Sequence, residues 1–170
     1  MRIVGIDPGT HKVGYALVEH GGPTPALLRA ETIVVARASS PADRLATLAR
    51  ALASRLRRDR PAAVATERLT FGKNRKTALA VAEARGIILL TAHRFVPSIW
   101  EYTPLELKLA VTGYGRAEKS GVRRMVHLAF PTHTLPQEDD AIDAIALALA
   151  AGTRRRPDNE HPPKGRKYSS

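Results

Sequence analysis

Cysteine is absent from the 170 residues. Disulfide staples and thiolate metal sites are therefore excluded. Aromatic residues are sparse at 5 %. Long apolar runs are missing as well: the stretch Ile87–Leu90 falls far short of the ~20 residues that a helix crossing a bilayer needs. No membrane partner is expected. The N-terminus, Met1-Arg2-Ile3-Val4-Gly5-Ile6-Asp7, reaches an acid at once and does not read as a signal peptide. The expected location is the cytoplasm. Acids are in short supply: 16 Asp and Glu stand against 27 Lys and Arg, for a net charge of +11.

That imbalance attracts polyanions and speeds their encounter. The plainer alternative is a basic protein with no polyanion partner. Apolar residues reach 44 %, enough to build a hydrophobic core. The length suits one compact domain, expected over 1–152, followed by a disordered basic tail over 153–170. That tail carries Arg154-Arg155-Arg156, Lys164, Arg166 and Lys167.

Periodicity and turn residues order the rest. Residues 2–7 and 13–19 read as strands joined by a Pro8-Gly9 turn, and 26–36 as a third strand after Gly21-Gly22-Pro23. Ser40-Pro41-Ala42-Asp43 opens a helix: a capping serine, proline at the first position, an acid three residues on. Its apolar face is Leu45, Leu48, Leu52 and Leu56. Residues 62–66 read as a buried strand ending in Glu67, 77–91 as a second helix, and 95–102 as a strand. Thr103-Pro104-Leu105-Glu106 starts a third helix; a fourth is expected over 117–130 and a fifth over 139–151. The 77–91 helix is apolar almost all round, so it must be covered on more than one side, either inside the domain or at a dimer interface. Strands interleaved with helices predict an α/β mixed sheet with helices on its faces.

The scarce acids fall at telling places. Asp7 ends the first strand, Glu67 the fourth, and Asp140 and Asp143 begin the last helix. Sites in α/β sheets form at strand ends. Residues three apart share a helix face, so Asp140 and Asp143 can join the other two in one cleft. Each acid has a plainer use. Asp7 can be a turn residue, Glu67 can pair with Arg68, and Asp139 or Asp140 can cap the last helix. Asp143 is harder to explain away, because it sits in the apolar run Ala141-Ile142-Asp143-Ala144-Ile145 and needs a partner there. That partner is either a salt bridge or a metal. Carboxylate oxygens suit Mg²⁺ or Mn²⁺. Two such ions in one site assist phosphodiester hydrolysis. Four close acids without a cation would repel each other.

Two basic segments accompany the acids. Phe71, Lys73, Asn74, Arg75 and Lys76 follow Glu67 and offer phosphate contacts with an aromatic to stack on a base. The alternative is a solvated loop with Phe71 folded inward. The second segment runs from Gly113 to Gly121 and includes Arg116 and Lys119. A helix starting near Ala117 would offer its N-terminus to a phosphate. Lys108 lies on the preceding helix.

Together these residues resemble the bacterial RuvC family of Holliday junction resolvases. The likeness spans roughly residues 1–150. It is carried by Gly5-Ile6-Asp7-Pro8-Gly9 with Gly14-Tyr15, Glu67 with Lys73-Asn74, Ala84-Arg85-Gly86, Glu101-Tyr102, Val111-Thr112-Gly113 through Ala117-Glu118-Lys119-Ser120, and Asp140 to Ala146. The resemblance implies an RNase H-like sheet of about five strands flanked by helices. It implies a homodimer formed through the 77–91 helix, acting with the RuvA and RuvB branch-migration proteins. It implies paired nicks in opposed strands of a four-way DNA junction, leaving 5′-phosphate and 3′-hydroxyl ends. Asp7, Glu67, Asp140 and Asp143 match the catalytic metal-binding acids, with two ions expected. Lys108 and Lys119 match basic residues near the scissile phosphate. Two features depart from the pattern. Thr70 stands where the family carries its first junction-contacting aromatic, with Phe71 next; and Glu138 and Asp139 crowd the start of the last helix, leaving Asp139 and Asp140 both open as ligand.

Other readings compete. Gly5-Ile6-Asp7-Pro8-Gly9-Thr10 is similar to the first phosphate loop of the actin and sugar-kinase superfamily, but that architecture uses two such domains. A protein that only binds DNA has no use for Asp143 in an apolar helix. A smaller YqgF-type relative would share only the first motif.

Overall fold

The protein's structure, a computed structural model, describes residues 1–35, 40–68 and 75–153, with backbone alone at 75–77. Ten elements follow one another: β1 (Arg2–Asp7), β2 (Lys12–Glu19), β3 (Ala26–Val34), α1 (Pro41–Asp59), β4 (Ala63–Glu67), α2 (Arg75–His93), β5 (Ser98–Tyr102), α3 (Pro104–Thr112), α4 (Lys119–Ala129) and α5 (Asp139–Gly152). The strands form one sheet in the order β3-β2-β1-β4-β5. β1 runs antiparallel to β2 and parallel to β4, and β4 runs parallel to β5. The expected mixed α/β sheet is what forms.

Both faces of the central strands are covered, so they read as apolar runs rather than alternating ones. Toward one face, Ile3, Ala16, Val18 and Ala65 pack with α5 and the inner sides of α3 and α4. Toward the other, Val4, Ile6, Val13, Tyr15 and Val64 meet Leu48, Leu52 and Leu56 of α1 and Ala84, Ile88 and Ala92 of α2. Each of these leucines contributes about 1.5–3 kcal/mol through burial. Cutting one back to alanine would cost about 2–5 kcal/mol, because a cavity remains.

α1 begins as its sequence dictates: the Ser40 hydroxyl accepts the Asp43 amide at 3.1 Å, and Pro41 takes the first turn. Other boundaries differ from expectation for local reasons. β3 runs to Val34, and the Val35 amide continues its pairing by donating to the His11 carbonyl; residue 36, the last of the expected strand, lies outside the described residues. β5 begins at Ser98, not 95, because Phe95 and Val96 close the end of α2 on the Ala92 carbonyl and Pro97 has no amide hydrogen for a ladder. α2 extends two residues beyond each expected end. α4 starts at Lys119 instead of 117, since the Glu118 backbone is extended and its carbonyl is the one that accepts from Gly121 and Val122 as the helix opens. α2 is also not covered all round. Ala84, Ile88 and Ala92 are buried, while Leu79 and Leu90 are 71 % and 55 % exposed. Of the expected tail over 153–170, Thr153 holds the C-cap of α5 and residues 154–170 lie outside the described residues.

Candidate active site

Asp7 is the last residue of β1 and Glu67 the last of β4. The two strands are parallel neighbours with Ile6 opposite Thr66, so both acids emerge side by side at the same end of the sheet. Across the other edge of β1, Asp7 pairs with Gly14 of β2. That glycine has a steric purpose. A Cβ there would lie 1.8 Å from the Asp140 carbonyl oxygen, and one at Gly5 would lie 1.9 Å from that of Ala144. The bare strands let the first turns of α5 rest directly on the sheet beside Asp7. α5 thereby brings Asp140 and Asp143 to the two strand ends.

The charges register this convergence. Burial pushes the Asp7 carboxyl up, and Asp143, Glu67 and Asp140 push it further, to about 8. Burial raises Glu67 too, with help from Asp143. Asp143 is likewise raised by burial, although Lys119 pulls it down. Asp143, Glu67 and Asp140 thus all act on Asp7 in one place. Asp139 does not figure among the groups that act on Asp7. It is 61 % exposed and is held by Arg123 at 3.0 Å and Lys119 at 3.2 Å.

Lys119, the first residue of α4, reaches into the cluster. Its Nζ lies 3.2 Å from Asp143 Oδ2 and 3.2 Å from Asp139 Oδ2. Burial works against this ammonium, but the two acids outweigh it and hold its pKa above the ordinary lysine range. The partner that Asp143 needs is therefore a salt bridge here. The later start of α4 makes this reach possible, because Lys119 rather than Ala117 opens the helix.

The donor set is the kind a hard divalent cation takes: carboxylate oxygens at unequal burial, with more negative charge than one lysine offsets. Among the described residues no three His, Asp or Glu side chains close into a metal cage. The Lys119 ammonium stands at Asp143 instead.

The remaining predicted residues are placed unevenly. Lys108 is half-buried on α3, and no salt bridge joins it to the acids among the described residues. Arg116 is in the turn before α4 and is exposed. Phe71, Lys73 and Asn74 lie outside the described residues, and Arg75 and Lys76 are described only as backbone at the start of α2. Glu67 is not paired with Arg68: the Arg68 amide donates to the Tyr102 carbonyl, and the Glu67 carbonyl accepts from Arg85 Nε at 3.3 Å. Neither Asp139 nor Asp140 caps α5 by its side chain; Glu138 holds the N-cap position.

Sequence reasoning missed Gly14 and Arg85 as supports of the site. Both stand in segments it had quoted, yet their partners come from distant elements.

Comparison with known proteins agrees with this arrangement. Residues 3–151 match the family described as Crossover junction endodeoxyribonuclease RuvC. The protein of that name from Moorella thermoacetica is 47 % identical over 150 residues, 88 % of this chain and 89 % of that one. The structure titled Thermus thermophilus RuvC superposes with a TM-score of 0.80 at 31 % identity, covering 89 % of this chain and 94 % of its own. The T. thermophilus protein in complex with a Holliday junction substrate gives a TM-score of 0.81 at 31 % identity, over 88 % and 92 % of the two chains. Such matches along nearly the whole domain leave no place for the sugar-kinase reading, which needs a second domain. Acids at two strand ends and on one helix face, in a chain matched from Ile3 to Ala151, have one consistent account: the chain belongs to the RuvC family of crossover junction endodeoxyribonucleases.

Proposed function

We propose that this protein resolves four-way DNA junctions by nicking two opposed strands, leaving 5′-phosphate and 3′-hydroxyl ends. The observation that carries the reading is the convergence of Asp7, Glu67, Asp140 and Asp143, with the Asp7 carboxyl driven up to about 8. RuvC nucleases are in general divalent-metal dependent. In this protein Asp7, Glu67, Asp140 and Asp143 would hold Mg²⁺ or Mn²⁺, in all two ions per site. When bound, the ions supply a nucleophilic water and stabilisation of the leaving oxygen.

The chain's own residues do the rest. Asp143, Glu67 and Asp140 all repel the Asp7 carboxylate, and a bound cation would offset that repulsion. Lys119 sits at the rim of the cluster, 60 % exposed, where its ammonium can reach a phosphate oxygen. Asp140 is preferred over Asp139 as a ligand, because Asp140 acts on Asp7 while Asp139 is occupied by Arg123 and Lys119. On the family pattern Lys108 joins Lys119 near the scissile phosphate, and Arg116 with the segment Phe71, Lys73, Asn74, Arg75 and Lys76 is assigned to DNA contact by its charge and its aromatic. The exposed Leu79 and Leu90 on α2 support homodimerisation through that helix, which would set two sites against opposed strands. RuvA and RuvB are the expected partners.

The test is cleavage of a synthetic four-way junction against linear duplex, with Mg²⁺, Mn²⁺ or EDTA. Paired, metal-dependent nicks on opposed strands with duplex spared are the expected result. Tight junction binding without cleavage in any divalent metal would leave a DNA-binding protein and overturn the reading.

A further inference from the structure

The segment Ala84-Arg85-Gly86 carries part of the family likeness, yet Arg85 is not among the acids of the site and has no role assigned above. Its side chain is 20 % exposed and bridges three elements. From α2, Nε donates to the backbone carbonyl of Glu67 at 3.3 Å, and Nη2 is bonded to the Glu101 carboxylate on β5. The same guanidinium therefore binds the chain at the residue whose carboxylate belongs to the acid cluster.

Glu67 needs such a support. The last rung between β1 and β4 is Ile6 with Thr66, so Glu67 stands one residue beyond it. There β1 runs on through Asp7 into Pro8, which has no amide hydrogen to offer a neighbouring carbonyl. β5 holds the other side, through the Arg68 amide and the Tyr102 carbonyl at 2.7 Å. A carbonyl left without a donor this close to the sheet would be costly. Arg85 supplies the donor, and Glu101 fixes Arg85. A guanidinium is suited to this, since its planar fork addresses two acceptors at once.

We propose that Arg85 is a positioning residue for cleavage: it holds the backbone of Glu67 so that its carboxylate stays in register with Asp7 and Asp143. It touches no reacting atom. It also makes α2, the helix with the exposed Leu79 and Leu90, continuous with the active site through one side chain. The inference rests on Glu67 being one of the catalytic acids.

The experiment compares Arg85→Gln, Arg85→Lys, Glu101→Gln and the exchanged pair Arg85→Glu with Glu101→Arg, in the full chain. Single-turnover junction cleavage, junction Kd and urea stability are read for each. Small misplacements of a catalytic group cost on the order of 10- to 100-fold in rate; Arg85→Gln should lose that much in cleavage while junction Kd stays within about twofold. Glu101→Gln keeps the donor to Glu67 and should lose far less. The exchanged pair separates positioning from stability. It can restore the ion pair, but a guanidinium moved to β5 does not restore the α2 donor, so stability should return without cleavage. Recovery of cleavage together with stability in that pair would make Arg85 a structural ion-pair partner and overturn the proposal. Should Arg85→Gln fail to fold, Arg85→Lys and the exchanged pair carry the same decision. Glu67→Gln serves as the control. If it cuts at the wild-type rate, the active-site assignment itself fails; if it is inactive while Arg85→Gln cuts normally, only the role of Arg85 fails.

Discussion

Two groups of ionisable side chains lie on opposite faces of the same sheet, and they are built on opposite terms. On the α1 side the Tyr15 hydroxyl donates to Asp59 Oδ2 at 2.8 Å, and Arg58 Nε donates to Asp59 Oδ1 at 2.7 Å. Arg29 stands 3.7 Å from the same carboxylate, and Arg55 binds Glu31 with both ends of its fork at 2.8 and 3.1 Å. Burial pushes Asp59 up, but its hydrogen bonds and the neighbouring cations outweigh that and hold it below the usual carboxylate range. On the α5 side Asp7, Glu67 and Asp143 are all raised, and one lysine faces them. The first group has a cation for each of its acids and needs nothing from outside. The second has more acid than the described residues neutralise. A buried carboxylate therefore becomes informative about function only once its partners are counted.

The largest effect that would break this comparison is on catalysis. Asp7→Asn should reduce junction cleavage by at least about 1,000-fold, as loss of a metal-binding acid removes a unit of the reacting site. Asp59→Asn should leave cleavage per folded molecule within about twofold of wild type. Equal losses in single-turnover assays would erase the distinction between the two groups.

Stability should move the other way. Asp59→Ala leaves the Tyr15 hydroxyl buried without its acceptor, at a cost of about 1–3 kcal/mol. Asp7→Asn relieves repulsion and should raise stability in EDTA at pH 8 by about 1–2 kcal/mol. Urea unfolding of both variants decides it; a destabilised Asp7→Asn would mean that the acids are held by contacts other than those described.

The pH response sharpens the contrast. A carboxyl whose folded pKa is raised contributes stability that is present below its ordinary value and lost as pH rises through the folded one. For Asp7 that window runs from 3.8 to about 8, so the melting temperature in EDTA should decline across it, and less so in Asp7→Asn. Asp59 has the reverse sign: its contribution is present above the ordinary carboxylate range and disappears as pH falls through its lowered pKa. Asp59→Asn should flatten only the acid limb. A single limb removed by both substitutions would refute the assignment.

The smallest expected effect concerns Lys119. Its ammonium competes with a cation for Asp143. Lys119→Ala should tighten Mn²⁺ binding without DNA by about 2- to 5-fold, the scale of a largely exposed ion pair, while cleavage becomes slower. Calorimetric titration checks the first part, and weaker Mn²⁺ binding would show that the lysine supports the site instead of occupying it.

Much of this was legible in the residues alone. Asp7 and Glu67 read as strand ends because apolar runs stop there, and Asp140 and Asp143 read as one helix face because three residues separate them. Asp143 stood out because its helix is otherwise apolar. The choice between Asp139 and Asp140 was not legible, since both satisfy a local spacing; what separates them is Arg123 and Lys119, from α4. The start of α4 differs by two residues because the backbone stays extended through Glu118, which no local spacing marks. Expectation left α2 either inside the domain or at a dimer interface, and the exposed Leu79 and Leu90 exclude the wholly internal alternative.

By itself the sequence determined the α/β order and the caps of α1 and α3, and it singled out four acids able to share one cleft, because each depends on period, turn chemistry or spacing within one segment. The tertiary structure alone decided what those segments meet. It set α5 down on Gly5 and Gly14, put Lys119 against Asp143, tied Arg85 to the Glu67 carbonyl and enclosed Asp59 with Tyr15. Each of these joins residues from different elements, and such contacts follow from how strands register and helices pack, which no local pattern encodes.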